Sequence, residues 1–215
     1  MVMILKTIAD PLPEGAANRK NAMHDAAMGL LASALHRADP LSFPGTSADC
    51  LPPVTRLEHG KPVFDPENGY MFSLSHSGRA AVCALSDSGP IGIDVQDTGV
   101  NTDVIRISSR FFSPAEQNFL SSLPQDLQRI MFFRIFSCKE AYVKMTGRGL
   151  SEDFGTFSIS PSLDTVTKDG EVTGFLHVFE EFSGPSVRGA LQVPYTLAVC
   201  TAAEHQSLKN SLISV

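Results

Sequence analysis

Residues 70–96 read YMFSLSHSGRAAVCALSDSGPIGIDVQ, and this stretch decides the fold class. Tyr70 to Ser75 alternates, with Phe72 and Leu74 on one side, which predicts a strand. Ser77-Gly78-Arg79 supplies a hairpin turn, and Ala80 to Leu85 is a short apolar run beyond it. Ser88-Gly89-Pro90 opens a third strand, Pro90 to Val95. Three strands in succession exclude the strict βαβ alternation of a parallel sheet.

On the N-terminal side, Met23, Ala26, Ala27, Leu30, Ala34 and Leu35 recur at helical spacing and predict a helix over Asn21 to His36. Asp39-Pro40 ends it. Residues 40 to 69 are rich in Pro, Gly and Asp and read as loop with short extended pieces. On the C-terminal side, Ser113-Pro114-Ala115-Glu116 is a capping box with proline at the first helical position, starting a helix to about Leu123. A longer helix is expected over Gln125 to Met145, with Gly147 at the left-handed position that stops it. Thr156 to Ser160, Gly174 to Phe182, Ser186 to Val193 and Tyr195 to Thr201 read as strands. The order is helix, strands, helices, strands. It predicts an α+β fold of two similar α+β lobes, residues 1–98 and 99–215, with a joint near 96–103 and a ligand cleft between them.

At 215 residues the chain is long enough for one large or two small domains. Its 43% hydrophobic and 19% charged residues place it among ordinary globular chains rather than disordered ones. A formal charge of −6 argues against a nucleic-acid surface, though not against a local basic pocket for a polyanion. Cys50, Cys83, Cys138 and Cys200 form no CxxC pair, so free thiols in a reducing compartment are expected rather than a zinc site or disulfide framework. Met1 to Leu5 is apolar but too short for a signal-peptide core, and no stretch approaches a membrane span. These readings point to a cytoplasmic protein.

Three segments carry possible chemistry. Ser73 to Gly78 sets hydroxyls, His76 and turn amides at a strand end, which suits an anion such as phosphate. Taken alone, it reads more readily as a hydroxyl-rich hairpin turn with a solvated histidine. Asp94 and Gln96 share a strand face, since side chains repeat every second residue, and together suit a hard cation such as Mg²⁺. An edge strand with a polar outer face is the other reading. Glu140 and Lys144 stand one helical turn apart, with Lys139 beside Glu140. A carboxylate flanked by two lysines suits a metal-bound pyrophosphate. A surface ion pair of small value is again the plainer reading. His24, His36, His59, His177 and His205 show no ligand spacing.

Taken in order, these segments resemble the 4′-phosphopantetheinyl transferase family, the longer two-lobed type that activates nonribosomal peptide and polyketide synthetases. The resemblance rests on Gly60-Lys61-Pro62, on Phe72 to Gly78, on Gly92-Ile93-Asp94-Val95 and on Arg110 to Glu116. It ends in Lys139-Glu140-Ala141-Tyr142-Val143-Lys144 with Gly147-Arg148-Gly149-Leu150. It spans residues 60 to 150. Family members often carry glutamate where this chain has Gln96, and tryptophan where it has Phe136. An arginine common in the family's first helix has no counterpart near Met28.

The resemblance implies a pseudo-dimeric fold and an enzyme. That enzyme moves 4′-phosphopantetheine from coenzyme A to a serine of an apo acyl or peptidyl carrier protein, with Mg²⁺ as cofactor, and releases 3′,5′-adenosine bisphosphate. Asp94, Glu140 and Gln96 would hold the metal. Glu140 would also take the serine proton, and Lys144, assisted by Lys139, would neutralise the pyrophosphate. Ser75 and His76, with Arg19 and Lys20, would meet the 3′-phosphate. Gly60, Lys61 and Pro62 would lie against adenine and ribose. Arg106 and Arg110 beside Phe111 and Phe112 would form a docking face for an acidic carrier helix. A monomer would suffice, with no nucleic-acid or membrane partner. Two other readings of the same residues are a non-catalytic coenzyme A or carrier-protein binding module and a metal-dependent phosphohydrolase.

Overall fold

The computed structural model describes residues 1–9, 15–179, 183–185, 192–205, 208 and 212–214. In chain order its elements are β1 (Val2–Ile8), α1 (Ala16–Ala38), the short pair β2 (Thr55–Arg56) and β3 (Pro62–Val63), then β4 (Met71–Ser77), β5 (Ala80–Ser86) and β6 (Ile91–Asp97). Three helices follow: α2 (Val104–Phe111), α3 (Pro114–Ser122) and α4 (Gln125–Thr146). The remainder is β7 (Phe157–Ile159), β8 (Thr165–Lys168), β9 (Glu171–Phe179), β10 (Ser183–Pro185), β11 (Gln192–Thr201) and β12 (Leu212–Ser214). This is an α+β fold. One sheet runs β12-β1-β5-β4 and a second runs β10-β11-β9-β8-β7, with β6 paired to β11. One long helix packs on each sheet. Leu30, Leu31 and Leu35 of α1 meet Phe72, Cys83 and Leu85, while Tyr142 and Ala141 of α4 share a core with Phe157, Leu176 and Ala198.

The expected hairpin β4–β5 forms through Gly78 at φ 58°, a left-handed turn position that glycine adopts without Cβ strain. The capping box at Ser113 is present, with Glu116 accepting from the Ser113 amide at 2.8 Å. Gly147 ends α4 at φ 74°. Helix α1 begins five residues earlier than expected, which moves Arg19 and Lys20 from a preceding loop onto the helix. Five elements go beyond the sequence reading: β1, α2, β8, β10 and β12. β1 lies centrally, pairing Val2–Ile8 with Ser86–Ala80, but a short apolar run at the chain start gives no turn signal to mark it. The helix α2 and the four-residue strand β8 also carry no separate signal. Parts of the strands expected over Gly174 to Phe182 and Ser186 to Val193 differ in standing: residues 180–182 and 186–191 lie outside the described residues.

The two sheets meet where β4 lies beside β6, and the join is made by side chains. Ser73, Ser75 and Ser77 repeat every second residue, so their hydroxyls share one face of β4. Their oxygens accept the amides of Ile93 at 3.1 Å, Val95 at 3.4 Å and Asp97 at 2.9 Å. Both numbers rise together, so β4 and β6 run the same way. β6 pairs its backbone with β11 in the second sheet, although it precedes residue 98. Ser73→Ala would leave a buried amide of β6 unpaired. It is expected to cost about 1–3 kcal/mol, read as a lower urea midpoint at unchanged slope.

Candidate active site

Helix α4 crosses β6 at Gly92. A Cβ there would stand 1.9 Å from the carbonyl oxygen of Ala141 and 2.5 Å from the Met145 nitrogen. Only a residue without Cβ lets the helix approach this closely. Asp94 and Gln96 lie on the same face of β6 as Gly92 and are therefore carried up against α4. Asp94 is 2% exposed. Its Oδ1 receives Lys144 Nζ at 2.7 Å and the Ser75 hydroxyl at 2.8 Å. Its Oδ2 receives Gln96 Nε2 at 2.8 Å. Lys144 Nζ also donates to Ser75 Oγ at 2.8 Å. The cluster thus joins β4, β6 and α4. Lys144 pairs with the strand carboxylate, not with Glu140 on its own helix.

Glu140 stands one turn before Lys144, half-buried in a cavity wall. Among the described residues no side-chain hydrogen bond or ion pair reaches it. Burial raises its pKa, the Asp94 charge raises it further, and Lys144 opposes both. An unpaired, half-buried carboxylate beside a second one fits a hard divalent cation. A half-turn of the Gln96 amide would present its oxygen to the same place. No cluster of three or more His, Cys, Asp or Glu stands ready for a metal among the described residues; a cation held here would have two carboxylates and an amide as donors. Mg²⁺ tolerates this, because it keeps several waters and takes substrate phosphates as ligands.

The cavity measures about 820 Å³. His59, Gly60, Lys61 and Pro62 line one side, and Phe111, Phe136 and Phe154 give it an apolar part. Glu140 and Lys144 open into it, while Asp94 lies behind Lys144. Phe111 is 39% exposed with the Arg110 guanidinium 5.2 Å from its ring centre. Phe112, expected beside it on a docking face, is instead a core residue stacked on Phe132. The reason is the turn between α2 and α3, which sends adjacent side chains to opposite sides.

Several expected ligands are occupied elsewhere. Lys139 does not reach the cavity. It is 0% exposed, and its ammonium meets Glu116 Oε2 at 2.9 Å, Phe154 O at 2.7 Å and Phe157 O at 2.8 Å. Burial lowers its pKa, against the Glu116 carboxylate, which raises it. Neighbours on a helix point about 100° apart, so Lys139 faces the core when Glu140 faces the cavity. Lys61 lines the cavity, but its amine donates to Met145 O at 2.9 Å and Ile91 O at 3.4 Å, and burial pushes its pKa down to about 8. It ties its loop to the C-terminal end of α4. The Ser75 hydroxyl is committed to Asp94, Lys144 and the Val95 amide.

His76 lies on the other face of β4, exposed. Partial desolvation lowers its pKa first, followed by the positive fields of Lys144, His24 and Lys20. Lys20 and His24 of α1 therefore belong to its surroundings, and Arg19 is not among the charges that act on it. Sequence reasoning misses His24 because its partner stands on a strand 52 positions away. It shows Glu116 only as a helix cap. Glu116 also accepts the Ile159 amide at 2.7 Å and holds Lys139, contacts that carry no local sequence signal.

The 4′-phosphopantetheinyl transferase superfamily profile matches residues 90–187. The chain is 41% identical over 96 residues to 4′-phosphopantetheinyl transferase HetI of Nostoc, covering 43% of this chain and 40% of that protein. It is 36% identical over 153 residues to 4′-phosphopantetheinyl transferase psf-1 of Bacillus pumilus, covering 68% of this chain and 61% of the relative. A solved holo-(acyl-carrier-protein) synthase from Bacillus anthracis covers 53% of this chain and 96% of its own, at 17% identity and a TM-score of 0.37, a likeness too slight to guide the reading. The chain thus spans 40% of the length of the first relative and 61% of the second. The profile-matched residues hold Asp94, Glu140 and Lys144, and with these relatives they show that this chain belongs to the 4′-phosphopantetheinyl transferase superfamily.

Proposed function

We propose that the protein transfers 4′-phosphopantetheine from coenzyme A to a serine hydroxyl of an apo acyl or peptidyl carrier protein, with Mg²⁺, releasing 3′,5′-adenosine bisphosphate. The observation that carries this is the unpaired Glu140 carboxylate at the wall of an 820 Å³ cavity, coupled to the Asp94–Lys144 pair. Asp94, Glu140 and the Gln96 amide oxygen would hold Mg²⁺, which when bound neutralises charge on the pyrophosphate. Lys144 stands between Asp94 and the cavity, placed to bind a phosphate oxygen as the anion enters. Glu140 accepts the serine proton. The serine oxygen forms its bond to the phosphorus that carries pantetheine. The bond from that phosphorus to the bridging oxygen breaks, and its electron pair leaves with adenosine bisphosphate. The protein's task is alignment and charge neutralisation.

The basic group Lys20, His24 and His76 is the proposed seat of the 3′-phosphate, with Arg19 at its margin. Gly60, Lys61 and Pro62 form the proposed nucleoside side through backbone and aliphatic atoms. Lys139 and Ser75 serve by holding other groups. The apolar and basic surface of Phe111, Arg106 and Arg110 is the proposed carrier face. The same reading makes the chain a cytoplasmic monomer of two lobes, 1–98 and 99–215, joined by the β6–β11 and β1–β12 pairings. No described helix is long and apolar enough to cross a membrane.

The test is intact mass of apo carriers incubated with protein, Mg²⁺ and coenzyme A. A gain of one phosphopantetheine supports the reading. Coenzyme A binding with no gain on any carrier sinks it in favour of a binding module, and release of adenosine bisphosphate without carrier points to hydrolysis.

Glu140 also gives a pH prediction. Its folded pKa lies above the ordinary 4.5, so its contribution to stability is present below that value and is lost as pH rises through the raised pKa. A bound divalent cation offsets the loss. Added Mg²⁺ is therefore expected to raise the melting temperature at pH 7 more than at pH 4.5, and Glu140→Gln to abolish the difference. Equal Mg²⁺ effects at both pH values would count against Glu140 as a ligand.

A further inference from the structure

Glu152 is a carboxylate that the proposed reaction does not use. It is 6% exposed and lies in the loop after α4. Its Oε1 meets Lys168 Nζ of β8 at 2.6 Å, and its Oε2 meets Arg148 Nη1 at 3.2 Å. Each oxygen thus takes its own cation. Arg148 is largely exposed and Lys168 mostly covered, so the Lys168 bond is the stronger tie. The same loop supplies Gly147, Gly149, Ser151, Asp153 and Phe154, with Glu152 itself, to the cavity lining. Its far end is held by Lys139 through Phe154 O and Phe157 O. At its near end Gly149 has φ 56°, and a Cβ there would stand 3.0 Å from the His59 carbonyl oxygen. Among the described ion pairs, Glu152–Lys168 is the one that ties this loop to the second sheet.

We infer that Glu152, clamped between Arg148 and Lys168, is a positioning residue that holds one wall of the cavity in its ligand-binding shape and so sets affinity for coenzyme A without acting on the transferred group. This rests on the transferase reading of the cavity. Among the described residues no hydrogen bond or ion pair joins Arg148, Glu152 or Lys168 to Asp94, Glu140 or Lys144, so the chemical step is left alone. The carboxylate also cancels two cations at that wall. Its removal therefore frees the loop and leaves Lys168 without its partner.

The experiment compares wild type with Glu152→Gln, Lys168→Met and the double variant. It reads hydrogen exchange over residues 147–156, and KM for coenzyme A separately from kcat. In Glu152→Gln, exchange in this segment should speed by about tenfold, as loss of a charged hydrogen bond implies. KM should rise by about the same factor while kcat stays within about twofold, the signature of lost binding that is uniform along the reaction. The double variant should recover part of the KM, because the mostly covered Lys168 charge is gone and only the largely exposed Arg148 is left without its partner. Unchanged exchange over 147–156 overturns the latch, as does a lowered kcat at unchanged KM. A wild type that transfers nothing sinks the transferase reading instead, and hydrogen exchange still decides the latch.

Discussion

Glu140→Gln should lower transfer to a carrier serine by about 10³-fold, within the range set by loss of a positioned general base. The amide has nearly the shape of the carboxylate but cannot take a proton, and it also removes one of two charges that would hold the cation. Fold should survive, because Glu140 makes no hydrogen bond or ion pair among the described residues whose loss would strand a partner. Removing its charge relieves the burial, and then the Asp94 repulsion, that raise its pKa, so the variant should melt no lower than wild type. Carrier mass gain against time gives the rate, and a thermal scan gives the fold. Asp94→Ala should lose activity as severely but for a mixed reason. It strands the Lys144 ammonium, the Ser75 hydroxyl and the Gln96 amide together, so stability falls with activity. An active Glu140→Gln enzyme would remove Glu140 from the chemistry.

Lys139→Met should have the largest effect on stability, about 3–5 kcal/mol, as expected when one partner of a buried ion pair is removed. The Glu116 carboxylate would stay buried at 2% exposure with only the Ser113 and Ile159 amides to hold it. The carbonyls of Phe154 and Phe157 would lose their donor as well. Adding Glu116→Gln should recover part of the loss, since the stranded charge goes while the amide oxygen can still accept both backbone bonds. Urea unfolding of the two single variants and the double variant gives the coupling. A Lys139→Met protein as stable as wild type, with lowered transfer, would instead put Lys139 back at the phosphate.

Some of the site is legible in the sequence. The period of two in a strand puts Asp94 with Gln96, and one helical turn puts Glu140 with Lys144. The capping box at Ser113 and the stop at Gly147 depend on neighbouring residues alone, and both form as expected. The serines at 73, 75 and 77 stand out as a row of hydroxyls. Their use does not, because a hydroxyl serves an anion, a turn or a neighbouring strand equally well. In the fold they bind the amides of β6.

Periodicity and capping, which act over a few residues, are enough to establish the α+β class, the ends of α3 and α4, and which polar residues share a face. Which face meets which is settled only when the elements pack. From Phe132 to Met145 buried residues lie on nearly every side of α4, so nothing local says that Lys139 turns inward to Glu116 while Glu140 meets the cavity. Gly92 lets α4 settle on β6, and that contact brings Lys144 to Asp94 across 50 positions of chain. The central place of β1 and the clamp on Glu152 arise in the same way, from partners distant in sequence. Such pairings depend on how whole elements pack, and packing is a property of the assembled core rather than of any short stretch of residues.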